Sequence, residues 1–249
     1  LYKTTDYGKT WKKITNGINN EHFTRVLRED PKRKGLLYAG TETGMYISFD
    51  DGQNWKPFQM NLPIVPITDL ALKNDNLIVA TQGRSLWILD DLSILHQLDN
   101  SKKSTTSILY KPKEAYRTKG RGSSRPSKVS GSNHPNGVVT HFYLKDVAEK
   151  DKVKLIYFNS KNDTLATFSN TAKKPQEKLK VKKGGNTHVW NTRGKGAEKL
   201  KGMIFWWASF TGPKAVPGSY KVHLNVNGSN QTQEFKIIPD PRAEVSVAD

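Results

Sequence analysis

Short runs of alternating apolar and polar residues recur along much of the chain, and a period of two is the signature of a half-buried β-strand. The clearest run alternates at every position: Tyr220, Lys221, Val222, His223, Leu224, Asn225 and Val226. Turn signals rich in Gly, Asn and Pro separate such runs. The dipeptide Asn227-Gly228, between this run and the next at 231–238, is typical of a two-residue hairpin loop. The pattern therefore predicts an all-β protein.

The same succession of predicted strands occurs twice within residues 1–98. Strands predicted at 24–28, 36–41 and 45–49 correspond in order to strands predicted at 67–72, 77–81 and 85–89. Repeating four-stranded units of about 40–45 residues are typical of the blades of a β-propeller. We therefore expect residues 1–98 to form the terminal blades of a β-propeller.

A short motif, [Ser/Thr]-x-Asp-x-Gly-x-[Thr/Asn]-Trp, recurs in the same region. Its two copies contain Thr4, Asp6, Gly8, Thr10 and Trp11, and Ser48, Asp50, Gly52, Asn54 and Trp55. Hydroxyl and carboxylate side chains can bond the backbone of a tight turn, where Gly adopts a positive φ. We expect Asp6 and Asp50 to accept N–H groups of their turns, and both tryptophans to be buried beneath them.

The repeats do not complete a ring by themselves. A third copy of the motif, at 88–92, has no Gly or Trp in register, as is common in terminal repeats. Two full units and a remnant cannot close a propeller, which needs about 4–8 blades. The chain also opens at Leu1 without an initiator Met, so we expect it to be a piece of a longer protein. Upstream blades of that protein, or a partner chain, are expected to pack on residues 1–98.

The amino-acid composition of the remaining chain changes at residue 99 and again at residue 136. Residues 99–135 are rich in Lys, Arg, Ser and Gly, with one short apolar segment at 108–110, and they predict a basic linker. A basic arm for an anionic partner is the alternative. Between 136 and 240, roughly seven or eight short strands favour an immunoglobulin- or fibronectin-like β-sandwich. These strands are predicted at 138–144, 153–159, 164–169, 177–181, 187–191, 218–226 and 231–238, with a further apolar run at 203–207. Residues 241–249 are interpreted as the start of a truncated C-terminal extension.

Net charge and residue counts exclude several kinds of functional site. The 249 residues carry a formal net charge of +17 and include no cysteine, which excludes disulfides, thiolate metal sites and thiol catalysis. The six histidines show no metal-ligand spacing, so no metal is expected, and no cofactor motif is recognised. The dispersed lysines lack a nucleic-acid recognition motif, which favours solvation of strand edges over specific nucleic-acid binding. No apolar run approaches the roughly 20 residues of a transmembrane helix.

The repeated motif resembles the Asp-box of BNR repeats, which is found in sialidase-like and sortilin-like β-propellers. Further likeness lies in the segments at 83–92, 109–112, 116–117, 185–191, 212–220 and 240–242. Their succession is similar to the C-terminal part of large bacterial BNR-repeat or sortilin-like proteins that carry a glycosyl hydrolase label. In that family a propeller precedes a FlgD-like or fibronectin-like sandwich. The Asp-box there closes a hairpin away from the ligand face.

The resemblance implies a non-enzymatic, secreted or cell-envelope protein that binds protein, peptide or glycan through its propeller. The alternative is a glycoside hydrolase, sialidase-like or other, whose catalytic residues lie on upstream blades. No catalytic residue is assigned in this chain. Arg84, at the turn of the last blade, is a candidate for binding an anionic ligand, and Trp206 and Trp207 are candidates for stacking on a sugar. Polyanion binding through the basic surface is a third class of function that the sequence leaves open.

Overall fold

The computed structural model describes residues 1–98, 105–118, 131, 133–198, 202 and 209–243. Strands dominate these residues, and their helical segments are the short helix α1 (Ser93–Gln97) and a 3₁₀ turn at Pro175–Glu177. The prediction of an all-β protein is confirmed. None of the described helices has the length and apolar character needed to cross a bilayer. The chain divides into two compact units, residues 1–98 and residues 99–249.

The first unit is built from three antiparallel sheets. Its strands in chain order are β1 (Tyr2–Lys3), β2 (Lys12–Lys13), β3 (Thr24–Glu29), β4 (Leu37–Thr41), β5 (Gly44–Ser48), β6 (Lys56–Pro57), β7 (Ile67–Lys73), β8 (Asn76–Thr81) and β9 (Leu86–Leu89). β1 pairs with β2, β3 to β6 form a four-stranded sheet in sequence order, and β7 to β9 form a three-stranded sheet. Helix α1 follows β9.

The two larger sheets are built alike. The first strand of each has a bulge at the same place, between Thr24 and Val26 in β3 and between Ile67 and Asp69 in β7. Both sheets continue through two further antiparallel strands. The four-stranded sheet then adds β6, whereas the chain after β9 enters α1. The sequence repeat is therefore also a structural repeat over three strands.

Burial distinguishes these two sheets. β4 and β5 are buried at every position, because alternate side chains join different clusters, with Tyr38 in one and Ala39 in the other. The sheet β7–β9 joins the Tyr38 cluster through the face that includes Val79. On its other face Leu86 and Ile88 are 70% and 59% exposed. This sheet is thus buried on one face and open on the other.

Strand direction gives the first unit two ends. The β3–β4, β5–β6 and β7–β8 connections lie at one end, because each strand reverses the direction of the one before it. An ion pair between Lys32 and Asp75, at 2.6 Å, joins two of these connections. We call this end the box end, since its β5–β6 connection holds the second copy of the motif. The two copies are called the first and second Asp-box below, after the motif that they resemble. The β4–β5 and β8–β9 turns lie at the opposite end, which we call the turn end.

The second unit contains two sheets around one core. Its strands are β10 (Ser107–Leu109), β11 (Ala115–Arg117), β12 (Val138–Leu144), β13 (Val153–Phe158), β14 (Thr164–Ser169), β15 (Gly184–Trp190), β16 (Gly218–Val226) and β17 (Ser229–Pro239). One sheet has the order β10-β12-β15 and the other β11-β17-β16-β13-β14. Among the described strands only β11 and β17 pair in parallel. Buried side chains from both sheets form a single cluster.

The structure corrects the sequence prediction in this unit. β10 and β11 lie inside the stretch 99–135 but pair with β12 and β17, so the prediction of a linker is wrong for these strands. Burial of Ser107, Leu109 and Ala115 explains why they are ordered. The strand predicted at 177–181 is reduced to an isolated bridge at Lys178 after the 3₁₀ turn. The strand predicted at 203–207 and residues 244–249 lie outside the described residues.

Candidate functional site

The two Asp-boxes form the same hydrogen-bonded turn. Asp6 Oδ1 accepts the N–H of Thr10 at 2.9 Å, and Asp50 Oδ1 accepts the N–H of Asn54 at 2.8 Å. The motif hydroxyls act in the same way, because Thr4 Oγ1 and Ser48 Oγ each accept the N–H of the motif glycine. Those glycines have φ of +90° and +82°, the left-handed region that Gly adopts without strain. Both motifs are therefore hairpin closures.

Hydrogen bonds keep the two carboxylates ionised. The hydroxyl and N–H of Thr10, followed by the hydroxyl of Thr4, lower the pKa of Asp6 to about 2. Burial acts to raise the pKa of Asp50, but bonds from the side chain and backbone of Asn54 and from Ser48 outweigh it, and that pKa is also lowered. A carboxylate that stays ionised and bonds its own turn is poorly suited to general acid catalysis.

The two motif tryptophans differ in exposure. Trp55 is 3% exposed, and its Nε1 donates to the carbonyl of Ile14 at 2.9 Å. Trp11 is 61% exposed, and its Nε1 donates to Gly8 within its own turn at 3.1 Å. The prediction that Trp11 is buried is therefore wrong. The reason is that residues 14–18 lie over Trp55, whereas no described segment lies over Trp11 in this way.

Replacing Asp50 with alanine is expected to lower the free energy of unfolding by about 1–3 kcal/mol, because the buried hydroxyl of Ser48 loses its acceptor. Asp6→Ala is expected to cost less, since water can reach the exposed turn around it. Urea unfolding followed by circular dichroism measures both changes. An Asp50→Ala chain with unchanged stability and lost ligand binding would contradict the structural role.

Arg84 lies in the β8–β9 turn, at the turn end. Its side chain is exposed, and its guanidinium donates to the carbonyl of Gly83 at 3.0 Å. Three apolar side chains from segments that enter or leave strands at the same end are also exposed: Phe23 at 62%, Met60 at 65% and Ile64 at 77%. The turn end therefore combines an exposed cation with exposed apolar surface. Such a combination suits a binding surface.

The structure adds a cluster that the sequence did not indicate. The carboxylate of Asp30, with a side chain 1% exposed, accepts Nε2 of His96 at 2.9 Å. It also accepts the hydroxyl of Tyr38 at 3.1 Å and the N–H groups of Lys32 and Arg33 at 2.8 and 3.0 Å. The cluster borders a cleft of about 200 Å³ at the box end. Asp30 and His96 are 66 positions apart, so no local spacing could signal their contact.

A carboxylate–histidine pair is a common part of a general base, but the described residues of this cleft offer no group for it to activate. The residues that line it include no Ser, Thr or Cys next to His96. Burial acts to raise the pKa of Asp30, yet the bonds from His96 and the two N–H groups lower it overall. Burial, together with the charge of Asp30, raises the pKa of the Tyr38 hydroxyl. The cluster thus ties α1 to the β3–β4 turn. Within the described residues, no group of three metal-ligating side chains occurs.

His188 of β15 has an unusual environment in the second unit. Its ring centroid lies 4.2 Å from that of Phe168 and 6.4 Å from that of Tyr157. Its Nε2 atom is buried and has no hydrogen-bond partner among the described residues. Burial lowers the pKa of His188 from 6.5 to about 4, so the neutral ring is the stable form in the fold.

We expect the second unit to lose stability as the pH falls from 6.5 to about 4, because the unfolded chain then binds a proton that the folded chain does not. The expected loss is about 2 kcal/mol, after allowance for the partial exposure of the ring. His188→Phe should remove most of this step, the rest coming from His223, whose pKa is also lowered by burial and by Lys221. His134→Phe, at an exposed position, should leave the step intact. Urea unfolding at a series of pH values measures this change in the free energy of unfolding. A step unchanged in His188→Phe would contradict the assignment.

The other predicted site residues, Trp206 and Trp207, lie outside the described residues. No protein-family model matches the chain, and no curated protein matches it. The likeness to Asp-box proteins therefore remains a proposal that rests on the motifs.

Proposed function

We propose that this chain is part of a non-enzymatic, secreted or cell-envelope binding protein of the BNR-repeat, sortilin-like kind. Its ligand, a protein, peptide or glycan, binds at the turn end of residues 1–98. The observation that carries the proposal is the surface of that end, where Arg84 is exposed together with Phe23, Met60 and Ile64. Arginine and aromatic side chains dominate the binding energy of many protein interfaces. The second Asp-box lies at the opposite end, as the resemblance implies.

The repeated sheets support the propeller part of this proposal. The face of sheet β3–β6 that includes Tyr38 packs in one cluster with the face of β7–β9 that includes Val79. Blades of a propeller bury their flat faces against their neighbours in the same manner. The open face of β7–β9, with Leu86 and Ile88, would then pack on further blades of the parent protein or on a partner chain.

Strand order supports an immunoglobulin- or fibronectin-like sandwich for the second unit. The sheets β10-β12-β15 and β17-β16-β13-β14 have the neighbour relations of strands A-B-E and G-F-C-C′ in that fold. Tyr220, near the start of β16, donates its hydroxyl to the carbonyl of Val216 at 2.5 Å. A tyrosine at this place with such a bond is typical of the tyrosine corner of that fold. The unit would serve as a packing and presentation module.

Screening the full chain against glycan and peptide arrays tests the proposed function. We expect binding that Arg84→Ala weakens roughly tenfold, as for loss of one charged contact. Lys73→Ala is the matched control, because Lys73 is an exposed cation at the opposite end of the same sheet. Equal loss in both variants, with steep dependence on salt, would instead indicate polyanion binding through general charge. Turnover of fluorogenic glycosides would favour the glycoside hydrolase alternative.

A further inference from the structure

The second Asp-box is covered by a short upstream segment, residues 14–18, which we call the cover segment. The backbone N–H of Trp55 donates to the carbonyl of Asn16 at 2.8 Å, and the indole Nε1 donates to Ile14 at 2.9 Å. The side-chain amide of Asn16 donates to Asn54 of the motif at 2.7 Å. Ile18 completes the contact in the same buried cluster as Trp55. The cover segment therefore recognises the motif through two carbonyls, an amide and aliphatic side chains.

Two glycines make this contact close. A Cβ atom on Gly52 would lie 2.8 Å from Cδ1 of Ile14, so the motif glycine leaves the space that Ile14 occupies. A Cβ atom on Gly17 would lie 2.2 Å from the carbonyl oxygen of Trp55, and the φ of Gly17 is +93°. No other residue fits at position 17 without movement of the backbone. The cover segment is thus defined by an Ile-x-Asn-Gly-Ile sequence.

The first Asp-box carries the same residues without such a cover among the described residues, and its indole bonds the carbonyl of its own Gly8 instead. Gly8, the counterpart of Gly52, is exposed, and a Cβ atom there would meet nothing closer than Trp11 at 3.8 Å. Trp11 is 61% exposed. A cleft of about 380 Å³ adjoins its indole and is also lined by Thr10 and Gln53. The exposed indole keeps apolar surface in contact with water. A ligand that fills the cleft would bury this surface, which favours binding.

We propose that Gly8, Thr10 and Trp11 form a docking site for a partner peptide with the chemistry of the cover segment. In this complex one peptide carbonyl accepts the backbone N–H of Trp11, as that of Asn16 does at Trp55. A second carbonyl replaces the carbonyl of Gly8, which accepts the indole N–H at 3.1 Å in the free chain, and so takes the part that Ile14 plays at Trp55. The indole of Trp11, whose Cζ2 lies 3.8 Å from the Cβ position of Gly8, turns aside, and the aliphatic side chain of the peptide takes its place as Ile14 does on Gly52. The inference comes from the equivalence of the two motif copies and does not rest on the function proposed above.

The probe is the neutral, end-blocked peptide of residues 14–20, titrated into the full chain. Calorimetry measures binding, and tryptophan emission should move to shorter wavelength as Trp11 is covered. We expect saturable binding with a Kd of roughly 0.1–1 mM, because a short flexible peptide loses entropy when it docks. The same peptide with Gly17→Val should bind at least roughly tenfold more weakly, because the added Cβ would collide with the carbonyl of Trp11.

Chain variants locate the site. Trp11→Ala should abolish binding, whereas Tyr116→Ala, a 50% exposed aromatic in the second unit, should retain it. No saturable signal up to about 5 mM peptide would overturn the proposal. So would equal binding of the valine peptide, or binding that survives Trp11→Ala. Self-association of the chain alone, lost in Trp11→Ala, would assign the surface to a second copy and also overturn the peptide assignment.

Discussion

Replacing Trp55 with alanine is expected to destabilise residues 1–98 by about 3–5 kcal/mol, whereas Trp11→Ala is expected to cost less than about 1 kcal/mol. The two tryptophans occupy the same position of the same motif, so their local turns cannot account for a difference. Trp55 is 3% exposed and Trp11 is 61% exposed. Truncating Trp55 removes a buried ring and leaves the carbonyl of Ile14 without its indole donor.

Urea unfolding followed by circular dichroism gives the two free energies. Hydrogen exchange, read by mass spectrometry, separates peptides of residues 1–98 from those of the second unit, so that the loss can be assigned to the correct unit. Equal destabilisation by the two substitutions would show that Trp11 is buried in solution. That outcome would also remove the basis of the docking site at the first Asp-box.

Replacing Asp30 with alanine is expected to cost about 3–5 kcal/mol, because it leaves one buried and three part-buried donors without their acceptor. These donors are the Tyr38 hydroxyl, His96 and two backbone N–H groups. Asp69→Ala is the matched control, since Asp69 pairs with Arg28 at 2.7 Å but its side chain is 61% exposed. An exposed ion pair contributes only about 0–1 kcal/mol.

The effect of Asp30 should also depend on pH. Its pKa in the fold is lowered from 3.8, so its contribution is complete above that value and is lost as the pH falls through the lower pKa of the folded chain. The difference in stability between wild type and Asp30→Ala should therefore shrink in acid. Hydrogen exchange in α1 should accelerate in the variant, because His96 anchors that helix. Protection of α1 that is unchanged by the substitution would contradict the anchoring role.

Local patterns predicted much of the secondary structure. The strand predicted at 138–144 is observed at Val138–Leu144, where buried and half-buried side chains alternate, because alternation along a strand depends only on which side chains face the core. The turn bonds of Asp6 and Asp50 also follow from sequence, since donor and acceptor are four positions apart. The position of Arg84 in a turn between two strands follows from the same local signals.

The amino-acid sequence by itself thus determined the all-β class, the repeat and the Asp-box turns, all of which depend on neighbours within a few positions. Only the tertiary structure decided that Trp55 is covered and Trp11 is exposed, because the cover comes from a segment about 40 positions away in the chain. It alone joined Asp30 to His96 and paired β11 in parallel with β17. Contacts between distant segments depend on how whole sheets pack, and no local spacing records that packing.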